Sequence, residues 1–166
     1  MLGLAPDQRG LLPAEDVKRL EEFGGAISKR YAENLAAKEH VRRADETENA
    51  LDNDPDTFWS APAGSHHSSL ELDFREPVTF DHSLIMERLN NGQHIQAFRI
   101  EAWDGGRWQT VAAGSTVGHK RIDGFASRTA SRVRLNILSS TDAAEIREFQ
   151  LFYIGEQPSA AKDVHY

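Results

Sequence analysis

The chain contains no cysteine among its 166 residues, which excludes both disulfides and thiolate metal sites. Its stability must come from packing, with a hard cation as the one inorganic aid left open. Exported bacterial proteins also manage without cysteine, so the absence fixes no compartment. Basic residues are in deficit, 19 Lys and Arg against 26 Asp and Glu for a formal charge of -7. That balance repels phosphate backbones and anionic lipid surfaces, so nucleic acid is not an expected partner. Long apolar runs are missing as well. None approaches the roughly 20 residues of a membrane span, and residues 1–10 lack the basic start and apolar centre of a signal peptide. No membrane insertion is expected, and the chain is expected to start inside something larger. What is present is globular in character: hydrophobic residues make up 39% and charged residues 27%. A compact fold of this length buries roughly 70% of its extended surface.

Two periodicities divide the sequence. In residues 13–31, PAEDVKRLEEFGGAISKRY, the apolar positions Val17, Leu20, Phe23, Ile27 and Tyr31 recur at spacings of three and four, which predicts one amphipathic helix. Pro13 suits the first helical position, Glu15 and Asp16 the N-terminal end, and Lys29 and Arg30 the C-terminal end. Gly24 and Gly25 each cost about 1 kcal/mol against alanine, so a break is expected there. From Asn34 onward the period becomes two. SSLELDF, AFRIEAW, RWQTVAA, SRVRLNIL and EIREFQLFYI read as half-buried strands, with Asp104-Gly105-Gly106 as a hairpin turn. Short strands separated by Gly, Pro, Asn and Asp predict an all-β antiparallel sandwich or barrel.

One loop stands apart. ALDNDPDTFWSAP places Asp52, Asn53, Asp54 and Asp56 just before Thr57, Phe58 and Trp59. A helix-loop-helix calcium loop needs Gly at its sixth position and Glu at its twelfth, where this chain has Thr57 and Ala63, so that match fails. Either the loop holds a cation in another way, or its side chains form Asx-turns that cap their own backbone amides. Trp59 reads as a core residue.

NALDNDPDTFW resembles the N-terminal signature of discoidin-like domains, also known as coagulation-factor C-type and galactose-binding-like carbohydrate-binding modules. The resemblance implies a jelly-roll β-sandwich of about eight antiparallel strands. It further implies a structural Ca²⁺, with Na⁺ as an alternative, joining the loop to a Glu near the C-terminus. Transferred residue by residue, the ligands are the Asn49 carbonyl, the Asp52 carboxylate, the Asp54 carbonyl, Thr57, the Ala144 carbonyl and the Glu145 carboxylate. The chain has Asn53 where the family usually has Gly, and Asn tolerates the left-handed backbone region.

A second resemblance lies in LGLAPDQRGLLPAEDVKRLEEFGGAI, which is similar to the segment closing the catalytic domain of bacterial α-L-fucosidases. In that family a discoidin-like domain commonly follows, beginning near NLA as at Asn34 to Ala36. The implied organisation is a helical remnant and linker at 1–33, a discoidin-like sandwich at 34–155 and a polar tail at 156–166. A retaining glycosidase needs two carboxyl groups about 5 Å apart, and the resemblance puts both in a barrel preceding this segment. No hydrolysis is therefore expected of the chain itself, and no catalytic residue is assigned.

Sugar sites of such modules lie on loops at one end of the sandwich and combine hydrogen-bonding side chains with an apolar face. GSHHSS and ERLNNGQH supply the candidates His66, His67, Arg88, Asn90, Asn91 and His94. The histidines equally suit a structural hydrogen bond, and Arg88 a structural ion pair. Adjacent histidines on a strand point to opposite faces and cannot share one metal. The GHKRI cluster at Gly118 to Ile122 fits an exposed strand or a contact to the absent barrel. The expected function is accessory carbohydrate binding, with fucosylated or galactose-containing glycans and the parent's catalytic domain as partners. The competing function is a structural brace that packs on that domain and shapes its active-site entrance. Lipid or protein adhesion is a third class, which the acidic charge opposes. The expected setting is bacterial and exported: periplasmic, cell-surface or secreted.

Overall fold

The computed structural model describes residues 6–42 and 47–155 and divides the chain into two compact units, 1–33 and 34–166. The expected tail at 156–166 lies outside the described residues. The first unit is built on helix α1, Ala14–Arg30, with Glu15 and Asp16 in its first turn and Lys29 and Arg30 in its last. Pro13 is the N-cap rather than the first helical residue. The helix runs unbroken through Gly24 and Gly25: their propensity cost of about 2 kcal/mol together is offset by good helix formers and matched charges on both sides. Its apolar stripe is exposed, with Phe23 at 53% and Ile27 at 42%. Among the described residues no helix is long and apolar enough to cross a membrane.

The second unit is β-rich. Its strands are β1 (Trp59–Ser60), β2 (Ser68–Glu87), β3 (Ile95–Trp103), β4 (Trp108–Gly114), β5 (Arg121–Ser140) and β6 (Glu145–Phe152), hydrogen-bonded in the order β1-β6-β2-β5-β3-β4, and every pairing is antiparallel. Among the described residues six strands are present where about eight were expected, and the two long ones account for the difference. A straight 20-residue strand would span about 66 Å, whereas a fold of about 120 residues has a radius of gyration near 14 Å. Both β2 and β5 must therefore bend. The register slips between Asp73 and Val78 and again between Phe80 and His82, with Pro77, which cannot donate to the ladder, inside the first slip. On either side of the bends the halves pair differently. The first half of β2 joins the second half of β5, which also pairs with β3; the second half of β2 joins the first half of β5 and β6. Counted this way there are four strand segments in each of two layers.

The core fills the space between those layers. Leu70, Leu72, Phe74, Phe80, Phe98, Ile100, Val133, Leu135, Ile137, Ile146 and Phe149 are buried, and they are the period-two positions of the strand segments. The β3–β4 hairpin turns at Asp104-Gly105-Gly106 as expected, with Gly105 at φ 96°. The Asp104 carboxylate accepts hydrogen bonds from the Gly106 and Arg107 amides and from the Gln109 side chain.

Two buried carboxylates fasten the ends of the strands. Glu87, at the end of β2, accepts from the amides of His94 (2.7 Å), Ile95 (2.9 Å) and Gly118 (3.3 Å). Asp81 accepts from the amides of Ile154 and Gly155 at 2.8 Å each and pairs with the His82 ring. Burial pushes the Asp81 carboxyl up, but its bonds to His82 and the two amides outweigh that and leave it below the usual 3.8. A depressed folded-state value contributes stability above the unfolded value, and that contribution disappears as the pH falls through the folded one. Asp81→Asn is accordingly expected to cost about 2 kcal/mol at pH 7, with the difference from wild type shrinking as the pH falls below 3.8 in acid-urea titrations. The domain also closes on itself: the Leu35 amide donates to the Leu151 carbonyl, and the Leu151 amide to the Asn34 side chain.

Candidate functional site

The acidic loop is held against β6 because β1, which begins two residues after Thr57, pairs with β6 through Trp59 and Ile146. Asn53 has φ 59°, the only non-glycine with positive φ among the described residues, which meets the expectation for that position. Asx-turns are present: the Asp52 carboxylate accepts from the Asp54 amide and that of Asp54 from the Asp56 amide, each at 3.0 Å. These turns leave one crowded point unexplained. The Thr57 hydroxyl lies 2.9–3.0 Å from both Asp52 carboxylate oxygens and 3.0 Å from the Asn49 and Asp54 carbonyls. One hydroxyl proton serves one acceptor at a time. The arrangement thus gathers more oxygen lone pairs than the loop has protons to satisfy.

The C-terminal partner of this loop differs from the expected one. Glu145 lies opposite Ser60, and its carboxylate is paired with Arg88 at 2.9 Å. The Ala144 carbonyl accepts from the Ala61 amide at 2.9 Å. The carboxylate beside the loop is Glu148, one strand turn further along β6. It is 2% exposed, and its Oε1 is shut off from solvent with no hydrogen-bond partner. Its Oε2 accepts from Gln150, whose amide also reaches Asn53 at 3.1 Å. Burial pushes the Glu148 carboxyl from 4.5 up to about 7; the Gln150 bond opposes the rise, and the nearby charges of Asp52 and Asp54 add to it. The β2–β6 register steps from Met86 opposite Glu148 to Glu87 opposite Ile146, leaving Arg147 as an extra residue; Ile146 and Phe149 therefore both face the core, and Glu145 and Glu148 share the other side of β6. Only the β1–β6 register decides which one meets the loop. The one hint in the sequence is a carboxylate embedded in apolar neighbours, Ile146, Phe149 and Leu151.

Of the sugar candidates, the three histidines gather around the end of β5 and the turn that joins it to β6. His66 reaches the Ser140 carbonyl through Nδ1 at 2.9 Å, and the Ser140 amide donates back to the His66 carbonyl. His67 bonds the Leu138 carbonyl through Nδ1. His94 reaches the Thr141 hydroxyl at 3.0 Å, and the Thr141 amide donates to the His94 carbonyl. A carbonyl can only accept, so Nδ1 of His66 and of His67 carries a proton, and in its neutral form such a ring presents Nε2 as an acceptor. Arg88 is held between the Glu145 carboxylate and the Phe58 ring, 4.1 Å from its centroid. Asn90 accepts from Arg147 at 2.9 Å, and Asn91 is exposed. Arg88 and Asn90 are thus engaged by the fold, while the histidines and Asn91 retain free hydrogen-bonding capacity. In the GHKRI segment, Arg121 is paired bidentately with Asp123 and His119 and Lys120 are exposed.

Over residues 34–149 the chain matches the F5/8 type C domain. A stretch of 143 residues, 80% of this chain, is 32% identical to Alpha-L-fucosidase 1 of Arabidopsis thaliana. The chain spans 28% of the length of the curated relatives it matches. The GH29 fucosidase of Ruminococcus gnavus, solved in complex with fucose, superposes with a TM-score of 0.72 at 25% identity, over 89% of this chain and 32% of that one. Chitosan-binding module 1 of the chitosanase/glucanase from Paenibacillus sp. IK-5, at 20% identity, shares the fold with a TM-score of 0.61 over 72% of this chain and 98% of the module. Because one relative is a plant protein, bacterial origin does not follow from these likenesses. The family match covers most of the chain and coincides with the two-layered antiparallel unit: the chain belongs to the F5/8 type C domain family.

Proposed function

We propose that this chain is the non-catalytic accessory domain of an exported α-L-fucosidase, binding glycans weakly and holding the enzyme near its substrate. The observation that carries the reading is the convergence of two loops on the β5–β6 turn, which brings the imidazoles of His66, His67 and His94 to one rim. Such groups suit the alternating hydroxyls of fucosylated or galactose-containing chains, and weak binding becomes useful when tethering raises the effective concentration. Isothermal titration with fucosylated and galactosylated oligosaccharides tests this. Millimolar binding that His94→Ala weakens at least fivefold is the expected result, and absence of heat with every sugar overturns it.

A structural Ca²⁺, or Na⁺ in its place, forms part of the same proposal. The crowded oxygens at Thr57 and the unpartnered buried Glu148 oxygen support it, because an all-oxygen donor set with two carboxylates suits a hard cation. Asn49, Asp52, Asp54, Thr57 and Glu148 would hold the ion, with Glu148 taking the place expected of Glu145. When bound, the ion neutralises carboxylates that otherwise repel one another.

The second reading, a brace on the catalytic domain with little sugar binding, gains support from Arg88 and Asn90, whose polar groups are committed to Glu145 and Arg147. Under that reading, titrations are silent while truncation of the full-length enzyme still lowers its activity.

A further inference from the structure

The sandwich has an open side where the edge strands of its two layers, β1 and the first half of β2, lie near one another, and a groove of about 630 Å³ runs there. This volume falls within the range of small-molecule sites, about 300–1,000 Å³. None of Asn49, Asp52, Asp54, Thr57 and Glu148 lines the groove, and it shares only His67 with the sugar candidates. The half-buried indole of Trp59 lines it, against the core on one side. Ser65, His67, Ser69 and Glu71 are among its other lining residues.

The chemistry of this lining is selective. His67 donates through Nδ1 to the Leu138 carbonyl, which leaves its Nε2 as an acceptor. One oxygen of Glu71 is held by Arg132, and the other has no partner among the described residues. The Ser65 hydroxyl is used by the His67 carbonyl and that of Ser69 is exposed. Among the described residues no lysine or arginine lines the groove, and Arg132 beside it is already paired with Glu71, so phosphate and sulfate meet a carboxylate there. One histidine and one carboxylate in this lining do not make a metal site. Hydroxyls, a ring-nitrogen acceptor and a carboxylate beside one indole match a ligand with hydroxyl donors on its edge and C–H groups on its face.

The geometry points to this lateral groove as a second saccharide site, in which a neutral pyranose stacks on Trp59 while its hydroxyls bond to His67 Nε2 and Glu71. The assignment rests on the carbohydrate-binding reading above but not on the rim, and the two fail separately. An extended peptide adding to the edge of β2 is the competing occupant, and the test includes one.

The full chain is titrated with L-fucose, D-galactose, lactose and a Ser/Thr/Val hexapeptide while its backbone amide resonances and the indole N–H resonances of its three tryptophans are followed. The expected result is a saturable shift of the Trp59 resonance with a sugar, with Trp103 and Trp108 unmoved. Ser69→Trp, which fills the groove from an exposed position, is expected to weaken that binding roughly tenfold or more, and Lys120→Ala, at an exposed position that does not line the groove, to leave it unchanged. Trp59→Ala, checked for folding by its urea transition, is expected to abolish it. Sugar shifts confined to residues 88–94 and insensitive to Ser69→Trp overturn the groove and leave the carbohydrate reading standing. Shifts at Trp59 with the hexapeptide alone overturn the ligand class. Silence with all sugars overturns both readings.

Discussion

Glu87→Ala is expected to lower the unfolding free energy by about 4 kcal/mol, the largest loss for any polar side chain in the sandwich. The carboxylate is 1% exposed, and its removal strands the amides of His94, Ile95 and Gly118 away from water. Each stranded donor costs about 1–3 kcal/mol, and the three losses overlap because the same cavity relaxes around all of them. The residue also joins three separate parts of the chain: the end of β2, the start of β3 and the loop before β5. If the alanine variant fails to fold, Glu87→Gln keeps the measurement possible. Its amide retains one acceptor oxygen but turns a donor towards a donor, for an expected loss of about 2 kcal/mol. Urea transitions at unchanged m-value provide the readout. A change below about 0.5 kcal/mol in both variants would show that the junction does not depend on this carboxylate.

The second large effect is a reversal of order at Glu148. In cation-free protein its carboxyl titrates near 7 against 4.5 in the unfolded chain, so the folded state binds the extra proton between those values. Stability then falls as pH rises from 4.5 to 7, by on the order of 3 kcal/mol, and stays low above that range. Glu148→Gln removes the penalty. With a chelator at pH 8, the variant is expected to be the more stable protein by about 2 kcal/mol. With millimolar Ca²⁺ the order is expected to invert, because wild type gains the binding free energy and the variant does not. Urea melts at pH 5 and pH 8, with and without Ca²⁺, give the four numbers needed. Equal response of both proteins to Ca²⁺ would remove Glu148 from the cation site.

The parts of this fold that could be read from the sequence are those where one face is wet. The alternation of Leu70, Leu72 and Phe74, of Phe98, Ile100 and Ala102, and of Val133, Leu135 and Ile137 announces the pleat, because water on one side forces the period. The second half of β2 is buried on both faces from Ser83 to Glu87 and shows no alternation at all, and Pro77 reads as a terminator when it is in fact a bend. The first half of β5 hides behind Gly124, Ser127 and Ala126 for the opposite reason, too little apolar character. At the acidic loop, residue types and spacing are local information and were legible. The identity of its distant partner was not, since choosing Glu148 over Glu145 requires the register between β1 and β6, a long-range fact. The positions of His66 and His94 around the β5–β6 turn depend in the same way on where long strands end.

The bond between the Leu35 amide and the Leu151 carbonyl places the entrance and the exit of the sandwich side by side. A polypeptide can therefore leave another structure, build this unit as a detour and return to nearly the point of departure. Such a module can be spliced into a foreign surface loop, or hung from one, without prying the recipient apart. Grafted between two neighbouring residues of an unrelated carrier, it would travel as portable cargo.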